Sequence, residues 1–218
     1  MKIRREARAI RTRVSEGGRG RLVVCVAVLG ATFLALVRRY GICLETVELA
    51  IFSAALLRLS LTDLDERRIP NACIVVALVA RLAYLTSQWA VGAMEVRQLF
   101  SYVLSALFIG AMLLAFIVLC DRMTGEASMG GGDLKLFVVA ALYFGFLQTI
   151  FLVLLACVLG IVSSFLFQGA ADDKNDQPDG SVHSAGKGMF PFGPAISLAC
   201  LIMMLWGDAM AAAYYSLL

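Results

Sequence analysis

The feature that most constrains this chain is a succession of long apolar runs separated by short polar segments. Residues 22–37, 47–61 (extended by 42–44), 72–90, 99–120, 136–147, 149–167 and 195–218 are almost devoid of charge, Arg81 being a clear interruption. A helix needs about 20 apolar residues, at a rise of about 1.5 Å each, to cross a bilayer. The runs therefore give six clear spans, with residues 22–37, 16 in number, as a shorter seventh that crosses only if flanking arginines snorkel. Backbone amides inside lipid must be satisfied within their own segment, so the runs are expected to be helices. They are too long and unbroken for barrel strands. Composition agrees, because 61% of the 218 residues are hydrophobic and only 16% are charged. Mean hydropathy is +0.84, more apolar surface than a water-soluble domain can hide. The expected fold is all-α and polytopic, with no internal repeat and no separate soluble domain.

Charge is unevenly spread. Residues 1–21 hold eight Lys or Arg against two Glu, a local +6 that leaves the rest of the chain at −3 within a total of +3. A basic segment before the first apolar run reads as cytoplasmic. The polar loops 62–71, 121–133 and 168–193 then fall on the cytoplasmic side. They carry Arg67, Arg68, Arg122, Lys174 and Lys187, against Arg38, Arg39 and Arg97 in the outer connectors. A nucleic-acid arm is the less favoured reading of the basic tail, and no nucleic-acid partner is expected. A cleaved signal peptide is disfavoured as well, because no small-x-small site follows residues 22–37 before Arg38 and Arg39. Cys25, Cys43, Cys73, Cys120, Cys157 and Cys200 never stand at Cys-x-x-Cys spacing. A zinc site is unsupported, no metal or other cofactor is expected, and the cysteines read as small hydrophobes in helices.

Two loops on one face present a carboxylate where an apolar helix meets polar chain: Asp63 after the second run and Asp133 before the fifth. Two carboxyls can hydrolyse a peptide bond without a metal. One must be ionised to take a proton from water, and the other must carry a proton to polarise the scissile carbonyl. Two like charges about 3 Å apart cannot both ionise, so close approach enforces the division. Each residue also has a plainer reading. Asp133 in Gly130-Gly131-Gly132-Asp133 could be a simple helix cap, and Asp63-Leu64-Asp65-Glu66-Arg67-Arg68 an ordinary solvated charge run.

Taken together the motifs are more specific. Asp63 precedes Pro70 of Ile69-Pro70-Asn71 by seven residues. Gly130-Gly131-Gly132-Asp133-Leu134-Lys135-Leu136 follows one hairpin later, and Phe190-Pro191-Phe192-Gly193-Pro194 precedes the last run. This order resembles the type IV prepilin peptidases, a family of intramembrane aspartic proteases with a G-x-G-D motif. The resemblance covers about residues 42–218 and implies a six-helix membrane domain there. Residues 1–41 are an additional basic cytoplasmic tail and an extra transmembrane helix. It implies Asp63 and Asp133 as the catalytic pair, with Pro70, Asn71, Gly130, Gly132, Lys135, Pro191, Gly193 and Pro194 as supporting motif residues. Pro70 and Asn71 would start the third span, with Pro at a first-turn position. Lys135 would either tune the charge of Asp133 or mark the membrane boundary.

The implied function is endoproteolytic removal of the basic leader from type IV prepilins or pseudopilins, in an inner (cytoplasmic) membrane, at its cytoplasmic face. Larger bacterial members add a domain with paired Cys-x-x-Cys motifs that supports N-methylation, so peptidase activity alone is expected, as in compact enzymes of tight-adherence pilus systems. A presenilin-like protease is a rival within the class, but its first Asp sits in a Tyr-Asp context, whereas Asp63 follows Thr62. The alternative from another class is a non-proteolytic membrane transporter or an assembly factor of a secretion or pilus system. A transporter predicts polar residues near the midplane of several spans, and these spans are almost purely apolar. Asp208 lies within the last run, on the outer half, where an interface or a pairing with Arg81 is expected. Asp65, Glu66, Asp121 and Glu126 are read as solvated, and His183 as inert. Asp172, Asp173, Asp176 and Asp179 form an acidic loop, read as solubilising, that could also attract a basic leader.

Overall fold

The computed structural model describes residues 24–66, 70–125, 129–172 and 192–217, the side chains of 66 and 166–172 excepted. The described residues are helical apart from short connectors: α1 (residues 24–40), α2 (Leu44–Glu66), α3 (Asn71–Ala90), α4 (Val96–Thr124), α5 (Gly131–Asp172) and α6 (Gly193–Ser216). Among the described residues four helices are long and apolar enough to cross a membrane: Asn71–Ala90, Val96–Thr124, Gly131–Phe165 and Gly193–Ser216. The chain is an all-helical, multi-pass membrane protein, as the apolar runs predict. The count of clear spans is smaller than expected for two reasons. Charge is one, since α2 carries Glu45, Glu48, Arg58, Asp63, Asp65 and Glu66. Continuity is the other, since the runs 136–147 and 149–167 belong to one helical stretch broken at Gly145.

That break reverses the chain. Gly145 has φ 72° and ψ −172°, a region that only glycine occupies without strain. At the start of α5, Lys135 reaches Asn71. After the break, Gln148 reaches Asp208 near the far end of α6. By Gly160 the helix lies against Phe192, next to Gly193, which touches Asp63. Residues 133 and 160 therefore lie at the same end of the bundle, and α5 is two arms folded back toward it. The reversal sits three residues earlier than the polar Gln148 suggests, because backbone geometry and not polarity sets it.

α6 is the central helix, packed on α5 and α2. α4 lies on the outside against α5, and α3 bridges α2 and α5. The core runs through Phe52, Leu56, Ile109, Leu136, Phe137, Leu152, Ile196 and Met203. Outward positions such as Phe100, Leu104, Phe116 and Leu154 are equally apolar and exposed, the pattern of a surface facing lipid. α1 joins the bundle through Leu36, which is fully buried, and Tyr40, whose hydroxyl donates to the Met204 carbonyl at 2.9 Å.

One buried ion pair was not legible in the runs. Arg81 on α3 pairs with Glu48 on α2 at 3.2 Å, both nearly inaccessible. Its Nε donates to Leu142 O at 2.8 Å and an Nη to Tyr143 O at 3.3 Å. Its guanidinium stacks among the rings of Tyr84, Tyr102 and Tyr143. The expected pairing of Arg81 with Asp208 is corrected: Asp208 bonds Arg39 at 3.3 Å and Gln148 at 2.9 Å.

Two outcomes follow for thermal unfolding in detergent. Arg81→Met leaves Glu48 buried without a partner and costs about 3–5 kcal/mol, of which only the part due to the bare carboxylate returns in Arg81→Met with Glu48→Gln, because the Leu142 and Tyr143 carbonyls still lack their donor. Gly145→Ala costs about 1–3 kcal/mol, because alanine must hold the same backbone angles.

Candidate active site

The site is built where α2 ends and α5 and α6 begin. Asp63 lies three residues before the end of α2 and is buried. The helix continues through the carboxylate because Leu56 and Leu59, on the same face, bury against the core and hold its last turns in place. Gly193, the first residue of α6, donates its backbone N–H to Asp63 Oδ2 at 2.9 Å. That amide belongs to the helix's unpaired first turn. The approach needs glycine for space: a Cβ on Gly193 would stand 2.7 Å from Asp63 Oδ2 and 3.0 Å from its Cβ and Cγ. Pro194 follows in the first turn, where its missing N–H costs no helical bond. One turn on, Ser197 Oγ donates to Leu56 O at 3.2 Å, a second tie between α6 and α2.

Asp133 is the third residue of α5. The chain enters through a turn in which the amides of Asp133 and Leu134 donate to the Gly130 carbonyl at 3.1 and 3.4 Å. Gly132 is the second residue of the helix. The two aspartates, 70 residues apart in sequence, stand at the same end of the bundle, Asp63 against the first residue of α6 and Asp133 in the first turn of α5. Lys135 extends to Asn71, its Nζ donating to Oδ1 at 3.4 Å, which ties the start of α3 to the start of α5. Pro70 is the residue just before α3, in an extended conformation, so it stands one place ahead of the first-turn position expected from sequence.

The bundle thus gathers Asp63, Asn71, Gly130, Asp133, Lys135 and Gly193 at one end. Pro191 lies outside the described residues, as do Glu126, His183 and the acidic loop from Asp173 onward. Asp65 is exposed two residues past Asp63, and Asp121 lies near the end of α4. Asp208 lies at the opposite end with Arg39 and Gln148, beside a cavity of about 200 Å³ lined by Glu45, Glu48, Arg81 and Tyr102. Among the described residues no three His, Cys, Asp or Glu side chains gather as metal ligands would. The cysteines are all free, with Cys73 and Cys200 buried and Cys43 and Cys157 exposed. What sequence reasoning missed is the direct contact of Gly193 with Asp63. The Phe-Gly-Pro stretch signalled a helix start but not its partner 130 residues away.

The Arg39–Asp208 pair is largely exposed, so Asp208→Asn should shift unfolding stability by no more than about 1 kcal/mol, measured beside Arg81→Met in the same detergent.

Comparison with known proteins places this arrangement. The chain is 30% identical over 181 residues to a prepilin leader peptidase/N-methyltransferase of Pseudomonas putida, covering 83% of this chain and 57% of that protein. It is 26% identical over 191 residues to a protein of the same description from Bacillus subtilis, covering 86% and 66%. A third, from Stutzerimonas stutzeri, is 23% identical over 175 residues. The chain spans between about half and two thirds of the length of these relatives. No solved structure matches. The profile of the type IV leader peptidase family matches residues 50–165, more than half of the chain and a stretch that includes both Asp63 and Asp133, and the chain belongs to that family.

Proposed function

We propose that this protein is an intramembrane aspartic endopeptidase that removes the basic leader from type IV prepilins or pseudopilins, with Asp63 and Asp133 as the reacting pair. What supports the reading is that one end of the bundle holds both carboxyls, Asp63 near the end of α2 and Asp133 in the first turn of α5. Membership of the leader peptidase family and relatives named for prepilin cleavage support it. The peptidase unit is residues 42–218, and residues 1–41 add a basic tail and a further helix. The excess of Lys and Arg in residues 1–21 supports a cytoplasmic N-terminus, with the aspartate end on the same face of an inner membrane.

The reaction needs one charged and one protonated carboxyl. The ionised carboxylate takes a proton from water, and the water oxygen bonds to the scissile carbonyl carbon. The protonated carboxyl gives its proton to the carbonyl oxygen. The tetrahedral intermediate then breaks its C–N bond: the leaving amine takes a proton from one carboxyl while a hydroxyl of the intermediate gives its proton to the other, which restores the singly protonated pair. A prepilin offers the matching shape: a basic leader that stays at the membrane surface and an apolar helix that lies in lipid beside the spans. No two cysteines of this sequence stand at Cys-x-x-Cys spacing, so the proposal is confined to the peptidase reaction.

The test is co-expression of a candidate prepilin from the same genome with wild type, Asp63→Asn or Asp133→Asn, followed by gel shift and mass. Wild type should remove the leader, and each variant should be slower by about 10²–10⁴-fold while reaching the membrane in equal amount. Cleavage by either variant at the wild-type rate removes that carboxyl from the mechanism. No cleavage by wild type of any prepilin from that genome returns weight to a transporter or assembly role.

A further inference from the structure

The contact between α6 and Asp63 continues into a third element. Gly160, on the second arm of α5, lies directly under the ring of Phe192. A Cβ there would stand 2.3 Å from Phe192 Cε2, 2.9 Å from Cδ2 and 3.5 Å from Cζ. The fit is closer than side chains tolerate, so the ring occupies the space that a larger residue at 160 would fill. Phe192 immediately precedes α6, and its carbonyl accepts from Ile196 N at 3.1 Å in the first turn. The next residue is Gly193, whose amide holds Asp63 Oδ2. Ring and amide belong to adjacent residues of the same turn, so a backbone shift that keeps the ring clear of position 160 carries the amide with it.

We propose that Gly160, Phe192 and Gly193 are positioning residues that set the carboxyl of Asp63 for the reaction, a proposal that rests on the reading of Asp63 as one of the reacting pair. The seat at Gly160 fixes the height and rotation of the start of α6. The Gly193 amide then holds Oδ2 of Asp63 and leaves Oδ1 as the oxygen for the reacting water. Asp133 needs no such device, because its own helix start and the Gly130 turn place it locally. Asp63 stands at a helix C-terminal end, where nothing in the first turn of its own helix is available to orient it.

The test measures cleavage by purified enzyme in detergent, using a quenched fluorescent peptide with a basic leader ending in Gly followed by an apolar segment. Gly160→Ala should lower kcat by about 10²-fold, since displacement of a reacting group by about 1 Å costs that much, while KM stays within about twofold. Phe192→Ala, which empties the seat, should lower kcat similarly. Gly160→Ala added to Phe192→Ala should cost nothing more, because the methyl then meets no ring. A merely structural role predicts a lower folded yield with kcat per folded enzyme unchanged, and losses that multiply in the double variant would mean that the two residues do not act through their contact. Full kcat in Gly160→Ala, a loss confined to KM, or multiplying effects would each overturn the proposal. Should Gly160→Ala fail to reach the membrane, Gly193→Ala tests the same chain one link later, with a methyl placed against Asp63 itself. Wild-type kcat there overturns the proposal too. Asp63→Asn in the same assay separates the two levels: wild-type cleavage by that variant refutes the dyad reading, whereas its inactivity beside an unaffected Gly160→Ala refutes only the positioning device.

Discussion

Arg81 is the residue on which the arrangement of helices turns. The reversal at Gly145 ends the first arm of α5 inside the bundle and leaves the carbonyls of its last turn without helical partners. In lipid such groups are costly unless protein supplies the bonds. Arg81 supplies two of them, to Leu142 and Tyr143. A guanidinium in that place is itself costly, and Glu48 neutralises it from α2, while the rings of Tyr84, Tyr102 and Tyr143 cover its faces. Four helices are thereby tied to one cation. The first arm of α5, held at this end, carries Asp133 at its other end.

The opposite end is assembled by small residues. Gly193 admits the Asp63 carboxyl, and Gly160 admits the ring of Phe192. Ala195, Ala199 and Cys200 let α6 run through the middle of the bundle. Polar contacts described at this end are directional, among them the Gly193 amide on Asp63, Lys135 on Asn71 and Ser197 on the Leu56 carbonyl. The bundle thus uses charge at one end to fix a break and close packing at the other to place carboxyls.

The parts legible in the sequence were those with a local signature. Apolar runs marked the helices, and Gly130 to Lys135 and Asp63 to Asn71 marked the two carboxyls. What escaped was long-range. Glu48 lies 33 residues from Arg81 in a run that reads as apolar, so nothing near either residue announces the pair. Asp208 was matched to the nearest-seeming cation, yet Arg39 at the end of α1 takes it, because α1 packs on α6. The break at Gly145 is silent because Phe144 and Phe146 on either side are as apolar as the arms. Only the backbone angle reveals it, and one glycine among 19 gives no warning of that.

The short first arm of α5 has an electrical consequence. Residues 131–144 rise about 21 Å as helix, with carboxyls at one end and the Arg81–Glu48 cluster and its polar cavity at the other. The hydrocarbon layer around the protein is about 30 Å thick. Wherever water reaches both polar ends, the membrane voltage falls across the shorter distance. The field along this arm is then steeper than in the neighbouring lipid, and a charge displaced along the arm crosses a larger share of the potential per ångström.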